Sequence, residues 1–415
     1  MVSILQGAFY LFKILKAVCF SSSFLMLTAY ALALYAAALL PDSFTVPENT
    51  AVQLADMPYI SVQQTNDEAM AADASTGTSY NTQLSLGGII PVKTVRAQVV
   101  SRRVVRVCGT PFGIKMFASG AMVVGFSDIY TDAGYQNPAR TAGLKLGDVI
   151  KSIGGVSTRT NEDVTKALQK VGGNPAEIVY VQNGSEKSTR LTAVLDTSND
   201  MWRTGMWVRD SSAGIGTLTF VDTSSGIFAG LGHSIHDVDT GTSIELRSGE
   251  IVDVEITDAV TGTAGSPGEL KGTFLSNVPT GTILLNSETG VYGRAISSFS
   301  GVDLPVAFSQ EVETGKAQIM CTINGREPQN FEVQIEKIAL NSDNPNRNMI
   351  IRVTDEKLLA ATGGIVQGMS GSPIIQNGRL IGAVTHVLVN DPTRGYAIFA
   401  ENMIEAATIY SKMTA

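Results

Sequence analysis

The chain has 415 residues, including 41 glycines, and carries 30 Lys and Arg against 38 Asp and Glu, a formal net charge of −8. Such a length leaves room for about two or three domains with their own cores, while the negative charge removes any electrostatic reason to bind a polyanion and sets nucleic acid aside as a partner. With three cysteines, Cys19, Cys108 and Cys321, and the first of them in an apolar run, at most one intramolecular disulfide could form outside that run. All three are read as unpaired.

The first element is AVCFSSSFLMLTAYALALYAAALL, residues 17–40, which has no charged side chain and is long enough to cross a hydrocarbon core as a helix. Lys13 and Lys16 precede it and Asp42 and Glu48 follow, so the basic flank faces the cytoplasm and the remainder lies across the membrane. A signal peptide is the competing reading, since small residues lie near the end of the run, but the run exceeds the usual secretory core. Residues 1–40 are therefore expected to be a cytoplasmic start and a retained anchor. After Pro41 the chain turns polar and acidic. The stretch DEAMAADASTGTSYNTQ, Asp67 to Gln83, shows neither an apolar stripe nor strand alternation and buries too little to offset its ordering entropy. Residues 41–98 thus read as a polar tether with leading strands, in which strand-like runs begin at GGIIPV and continue through TVRAQVV to VVRVC beyond.

Residues 99–197 read as a small mixed unit. KMFASGAMVVGF supplies one or two strands, another begins near Asp148, and EIVYVQNGS with STRLTAVL forms a hairpin. NEDVTKALQKVGG is a helix that Thr160 caps through the Asp163 amide and Gly172 ends, with Val164, Ala167, Leu168 and Val171 on one face. Through Ala142-Gly143-Leu144, Leu146-Gly147-Asp148 and Ile150, this unit resembles a PDZ domain. The resemblance implies that it binds an extended peptide by strand addition. Its candidate binding loop is PFGIK, with Phe112, Gly113, Ile114 and Lys115 as peptide-binding residues. That loop departs from the family's Gly-Leu-Gly-Phe style, which favours peptide or intramolecular docking, including the chain's own N-terminal segment, over capture of a C-terminal carboxylate.

From Gly205 onward, short apolar strands alternate with Gly, Ser, Thr, Asn and Pro, as in GMWVRD, IGTLTFVD, GIFAGLGHSI and NMIIRVTD. This predicts a barrel or sandwich, with helical signals sparse until FAENMIEAATIYSK. His233 lies in GLGHSIHD at a strand end, with His236 and Asp237 close by. A metal site would need three or four compatible ligands, and no HExxH or paired-cysteine pattern is present, so no metal and no cofactor is expected. His386, in IGAVTHVLV, reads as a sheet residue.

The stretch GGIVQGMSGSPIIQNGRLIGAVTHV contains glycines that could expose Ser370, then a strand, an Asn-Gly turn and a second strand. If the amides of Gly368 and Ser370 point the same way, they form an oxyanion hole. A serine hydroxyl also needs a base, such as His233, and a carboxylate that orients the imidazole.

These stretches, with GLGHSIHDVDTG, resemble the stage IV sporulation protein B peptidase family. The likeness implies a mainly β chain with an N-terminal membrane helix, a PDZ-like domain and, over 198–415, a chymotrypsin-like double β-barrel. It places the catalytic roles on His233, Asp355 and Ser370. Ser372 stands where chymotrypsin-like peptidases have the second glycine after the nucleophile. Asp355 precedes Ser370 by 15 residues, closer than in chymotrypsin-like chains, which leaves Asp253, Asp258 and Asp303 as alternatives. The family further implies a membrane-associated serine endopeptidase that moves from the forespore into the space between forespore and mother cell. There it cuts the inhibitory component of an intramembrane protease complex, activating a late sigma factor, and cleaves itself near its N-terminus. The rival readings are a non-catalytic PDZ signalling scaffold and a metal peptidase.

Overall fold

The computed structural model describes residues 2–62, 75–237, 239–242 and 246–413. Helix α1 spans Val2–Leu39. Its segment Leu15–Leu39 is long and apolar enough to cross a membrane, and large side chains such as Phe20, Leu25, Met26 and Tyr35 are exposed on it. This helix, the single one of membrane length among the described residues, gives the chain a membrane-anchored topology. Ala33, Ala36 and Leu40 are buried on one side, an i, i+3, i+7 stripe that turns toward the protein.

The segment predicted to be a tether folds instead. Strands β1 (Ser43–Val46), β2 (Ile60–Val62), β3 (Ser79–Leu86) and β4 (Ile90–Val99) form a sheet in the order β1-β4-β3-β2. Residues 63–74 of the predicted tether lie outside the described residues, but its end is β3. Tyr80, Thr82 and Leu84 point inward and pack with Val95, Ala97, Val99 and Leu40. The period-2 signal escapes a reading by apolarity because a threonine fills the middle inward position.

The next long strand, Pro111–Phe126, is hydrogen-bonded on both sides. Along one edge it pairs with Met206–Asp222 and along the other with Leu246–Val260. The assignment of Phe112, Gly113, Ile114 and Lys115 to a peptide-binding loop is therefore corrected. Phe112 faces Gly216 and Asp253, and Lys115 faces Ala213 and Glu250, so no open edge is left there for strand addition. Farther along, Ala121 and Met122 pair with Ile150 and Val149. This end belongs to a core of Val123, Leu144, Ile150, Ile153 and Ile178 closed by the helix Asn161–Val171. The helix has the Thr160 cap and Gly172 stop expected of it, and Asp163 completes a capping box.

From Met206–Asp222 the pairings run through Ile227–Gly230, Gly290–Ala295 and Gly281–Ser287 to Leu246–Val260, and so return to Pro111–Phe126. The C-terminal part is a closed barrel of Gly315–Cys321, Gln329–Ile338, Met349–Val353, Asp391–Phe399, Arg379–Leu388 and Pro373–Gln376. Phe331, Ile335, Ile351, Ile374 and Val384 fill it. Among the described residues the chain is thus mainly β, with one membrane-length helix and a closed barrel.

Candidate active site

Ser370 lies in the connection between the helix Glu356–Thr362 and the barrel strand Pro373–Gln376. Gly363 and Gly364 end the helix with φ of 72° and 138°, and Gly368 and Gly371 on either side of the serine have φ of 94° and 92°. These angles are open to glycine and strained for other residues. Side chains from the strand Met206–Asp222 hold the loop. The Thr217 amide donates to the Ser370 carbonyl at 2.9 Å, Thr217 Oγ1 to the Gly368 carbonyl at 2.9 Å, and Thr219 Oγ1 to the Gly371 carbonyl at 2.7 Å. The Gly371 amide is spent on the Val384 carbonyl. The amides of Gly368 and Ser370 make no hydrogen bond among the described residues. Donors left unpaired on one short turn are what a developing oxyanion requires.

Ser370 Oγ donates to the Thr385 carbonyl at 2.8 Å. Ser372 is fully buried, and its hydroxyl donates to the Met369 carbonyl at 2.6 Å, so the second serine of the motif belongs to the loop's internal bonding.

His233 follows the strand Ile227–Gly230 after two left-handed residues, Leu231 at φ 66° and Gly232 at φ 70°. Its Nδ1 lies 2.8 Å from the Ser234 carbonyl. A carbonyl only accepts, so Nδ1 carries the proton and Nε2 is left as the acceptor. Burial lowers the His233 pKa below the usual histidine value, with a smaller contribution from His236, and the bond to Ser234 opposes both. The His386 ring packs against it, with centroids 4.6 Å apart and 35° between planes. Burial first, and His233 second, bring His386 down to about 4. Among the described residues His386 Nδ1 is buried without a partner. Ser370, His233, His236, His386, Gly368 and Thr385 line one cleft of about 540 Å³.

Asp355 is not among those residues and does not bond to His233. It is the N-cap of Glu356–Thr362, accepting from the amides of Lys357 at 2.9 Å and Leu358 at 3.1 Å, and also from the Glu332 amide at 3.3 Å. The alternatives are engaged elsewhere. Asp253 pairs with Arg326 at 3.1 Å, Asp303 with Arg106 at 2.9 Å, and Asp258 accepts from the Ala259 amide. The group that orients His233 here is a backbone carbonyl, which leaves no trace in a sequence. Asp237 is buried and accepts from Arg209 at 2.8 Å and from the amides of Asp239 and Thr240, which commits the carboxylate beside His236. His386 sits in a strand as expected, but its place against His233 was visible in the sequence only as a third histidine on an apolar run.

A second cleft, about 440 Å³, lies between Val164, Thr165 and Leu168 of the helix Asn161–Val171 and the strand start Met206–Val208, with Trp202 at its side.

Residues 200–404 match the family described as SpoIVB peptidase S55. Among solved structures, the PDZ domain of an SdrC-like protein from Listeria monocytogenes is 17% identical over 22% of this chain and 87% of that one, with a TM-score of 0.18. An inactive serine-to-alanine form of Rv3671c from M. tuberculosis is 14% identical over 48% of this chain and 82% of that one, with a TM-score of 0.26. No curated protein sequence matches.

Proposed function

Through residues 200–404 the chain belongs to the SpoIVB peptidase S55 family and is a membrane-associated serine endopeptidase, and from that premise we propose that Ser370 is its nucleophile and His233 its general base. The observation that carries this reading is their convergence on one cleft beside the unpaired amides of Gly368 and Ser370. Ser370 Oγ exchanges the Thr385 carbonyl for His233 Nε2 when substrate arrives, attacks the scissile carbonyl, and passes its proton through His233 to the leaving amine. Water activated by His233 then releases the acyl group. Beyond Val384 the strand Arg379–Leu388 pairs with no further strand on its Pro373–Gln376 side among the described residues, an edge suited to an extended substrate. Residues 198–415 are the peptidase domain, completed by the strand Pro111–Phe126 that closes the returning run of pairings, with that run and the closed barrel as a chymotrypsin-like pair.

Because His233 must be neutral to act, its lowered pKa predicts that kcat/KM stays level from neutral pH to below about 6.5 and falls only in stronger acid. His236 helps to lower the His233 pKa, so His236→Gln should move the acid midpoint upward. A wild-type midpoint above the ordinary histidine value contradicts this assignment.

Asp355 acts in this reading as a positioning residue, holding the helix that leads into the Ser370 loop. Asn caps a helix about as well as Asp, while Ala costs about 1 kcal/mol. Asp355→Asn is therefore expected to retain stability and most of kcat, and Asp355→Ala to lose part of both. A large loss of kcat in the Asn variant at unchanged melting temperature would instead make the carboxylate's charge a direct partner of His233.

Residues 99–197 are the PDZ-like domain, with its peptide site in the cleft between Asn161–Val171 and Met206–Val208. The family resemblance extends the proposal to place and substrate. The enzyme sits on the forespore membrane with its catalytic domain in the intermembrane space, cuts the inhibitory component of an intramembrane protease complex, and trims its own N-terminal region. N-terminal trimming by purified wild-type and Ser370→Ala protein tests the self-processing step.

A further inference from the structure

The sheet β1–β4 docks α1 rather than hanging from it, and one end of that sheet points back toward the membrane. The Lys93 ammonium donates to the Leu40 carbonyl at 2.6 Å and pairs with Asp42 at 2.8 Å, and the Arg96 amide donates to the Asp42 carbonyl at 2.9 Å. Strand β1 runs parallel to β4, with Ser43 facing Arg96 and Val46 facing Val99. Chain leaving α1 and chain along β4 therefore travel the same way, and Lys93 marks the level of the helix end. Ile89 lies four residues before Lys93, roughly 13 Å closer to the membrane at strand rise, which is the depth of about the last two turns of α1.

What the turn between β3 and β4 presents there is apolar and uncharged. From Leu84 to Val92 the sequence is LSLGGIIPV, and at its turn Ile89 is 81% exposed. Tyr59 is 51% exposed and adjoins the turn, since its carbonyl accepts from the Gly87 amide at 2.9 Å and Ile60 pairs with Leu86. Pro58 and Pro91 are exposed as well. Beneath the tip, Val92 and Met57 pack into the cluster that holds Ala36 and Leu40, so the tip is fixed relative to the anchor.

We propose that the β3–β4 turn, with Tyr59 beside it, enters the headgroup and upper acyl layer of the membrane that α1 crosses. An aliphatic tip, a tyrosine beside it and a lysine and aspartate above it reproduce the order of groups favoured across a bilayer interface. The anchor and the tip together are two points of attachment, which hold the catalytic cleft at one height and one orientation above the lipid. A substrate must accordingly present its cleavage site at that height.

The test uses the full chain with Cys19→Ser, in vesicles of phosphatidylcholine and phosphatidylglycerol; Cys108 and Cys321 are buried. An environment-sensitive fluorophore is attached at Ile89→Cys or, as a control, at Asn81→Cys, which is exposed on β3 opposite Arg96. The expected result is quenching of the label at 89 by lipids carrying a shallow nitroxide, with shielding from aqueous iodide, and the reverse at 81. Equal access of iodide to both positions overturns the proposal. Shielding at 89 without quenching by nitroxide lipid also overturns it, because a protein surface, partner or second copy, then covers the tip.

Discussion

Ser370→Ala is expected to reduce peptide hydrolysis by about a thousandfold or more, the scale on which loss of a serine nucleophile acts when binding and the oxyanion hole remain. The same change should leave the fold nearly intact. Ser370 Oγ makes one hydrogen bond, to the Thr385 carbonyl, whose net worth is about 1 kcal/mol, and that carbonyl faces an open cleft where water can replace the hydroxyl. Ser372→Ala supplies the contrast. Its hydroxyl is buried and bonded inside the loop, so it should lower the melting temperature more than Ser370→Ala while retaining turnover. Paired measurements of kcat/KM and thermal unfolding separate the two serines. Comparable turnover by the Ser370→Ala enzyme, or N-terminal trimming at the wild-type rate in purified Ser370→Ala protein, contradicts the nucleophile assignment.

Gly371→Ala should have the largest effect on the fold of the site. A Cβ at this position would lie 2.1 Å from the Thr217 carbonyl oxygen and 2.4 Å from the Leu231 nitrogen, on a residue at φ 92°. Both obstacles are backbone atoms, one within the strand Met206–Asp222 and the other just after the strand Ile227–Gly230, so neither can rotate away. Relief requires the loop to lift, which breaks the bonds from the Gly371 amide to Val384 and from Thr219 Oγ1 to the Gly371 carbonyl. Strain and lost bonding together place the change in the class costing about 4 kcal/mol or more. Gly378→Ala, also at positive φ (72°) but with nothing within 4 Å of the new methyl, should cost about 1 kcal/mol. Denaturant midpoints of the two variants measure the difference, and activity should be absent from the first and nearly normal in the second. Equal midpoints would mean that contact with Thr217 and Leu231 does not hold the loop.

The features legible in the amino-acid sequence share one property: their physics closes within a few residues. The uncharged run at 17–40 is a helix because helix hydrogen bonds are local and its side chains are apolar throughout. Thr160, Asp163 and Gly172 delimit a helix because a cap needs only the neighbouring amides. The glycines around Ser370 announce a turn that few other residues could adopt. The features decided by tertiary structure involve partners that composition does not name. Whether Phe112–Lys115 is a loop or a strand with two neighbours depends on segments near 213–216 and 250–253. Strand β3 is held by Tyr80 and Leu84, packed against β4 and the end of α1 with Thr82 buried between them. Asp355 is placed by sequence motif alone, yet its carboxylate is drawn to three nearby amides, and a carbonyl takes the position on His233 that a carboxylate was expected to hold. His386 meets His233 only because two strands more than 150 residues apart are brought to one cleft. Local conformation follows from the energetics of neighbouring residues, but the pairing of strand edges and the company of a buried imidazole are settled by whichever distant groups best satisfy hydrogen bonds and burial together, and those groups are known only once the chain has closed on itself.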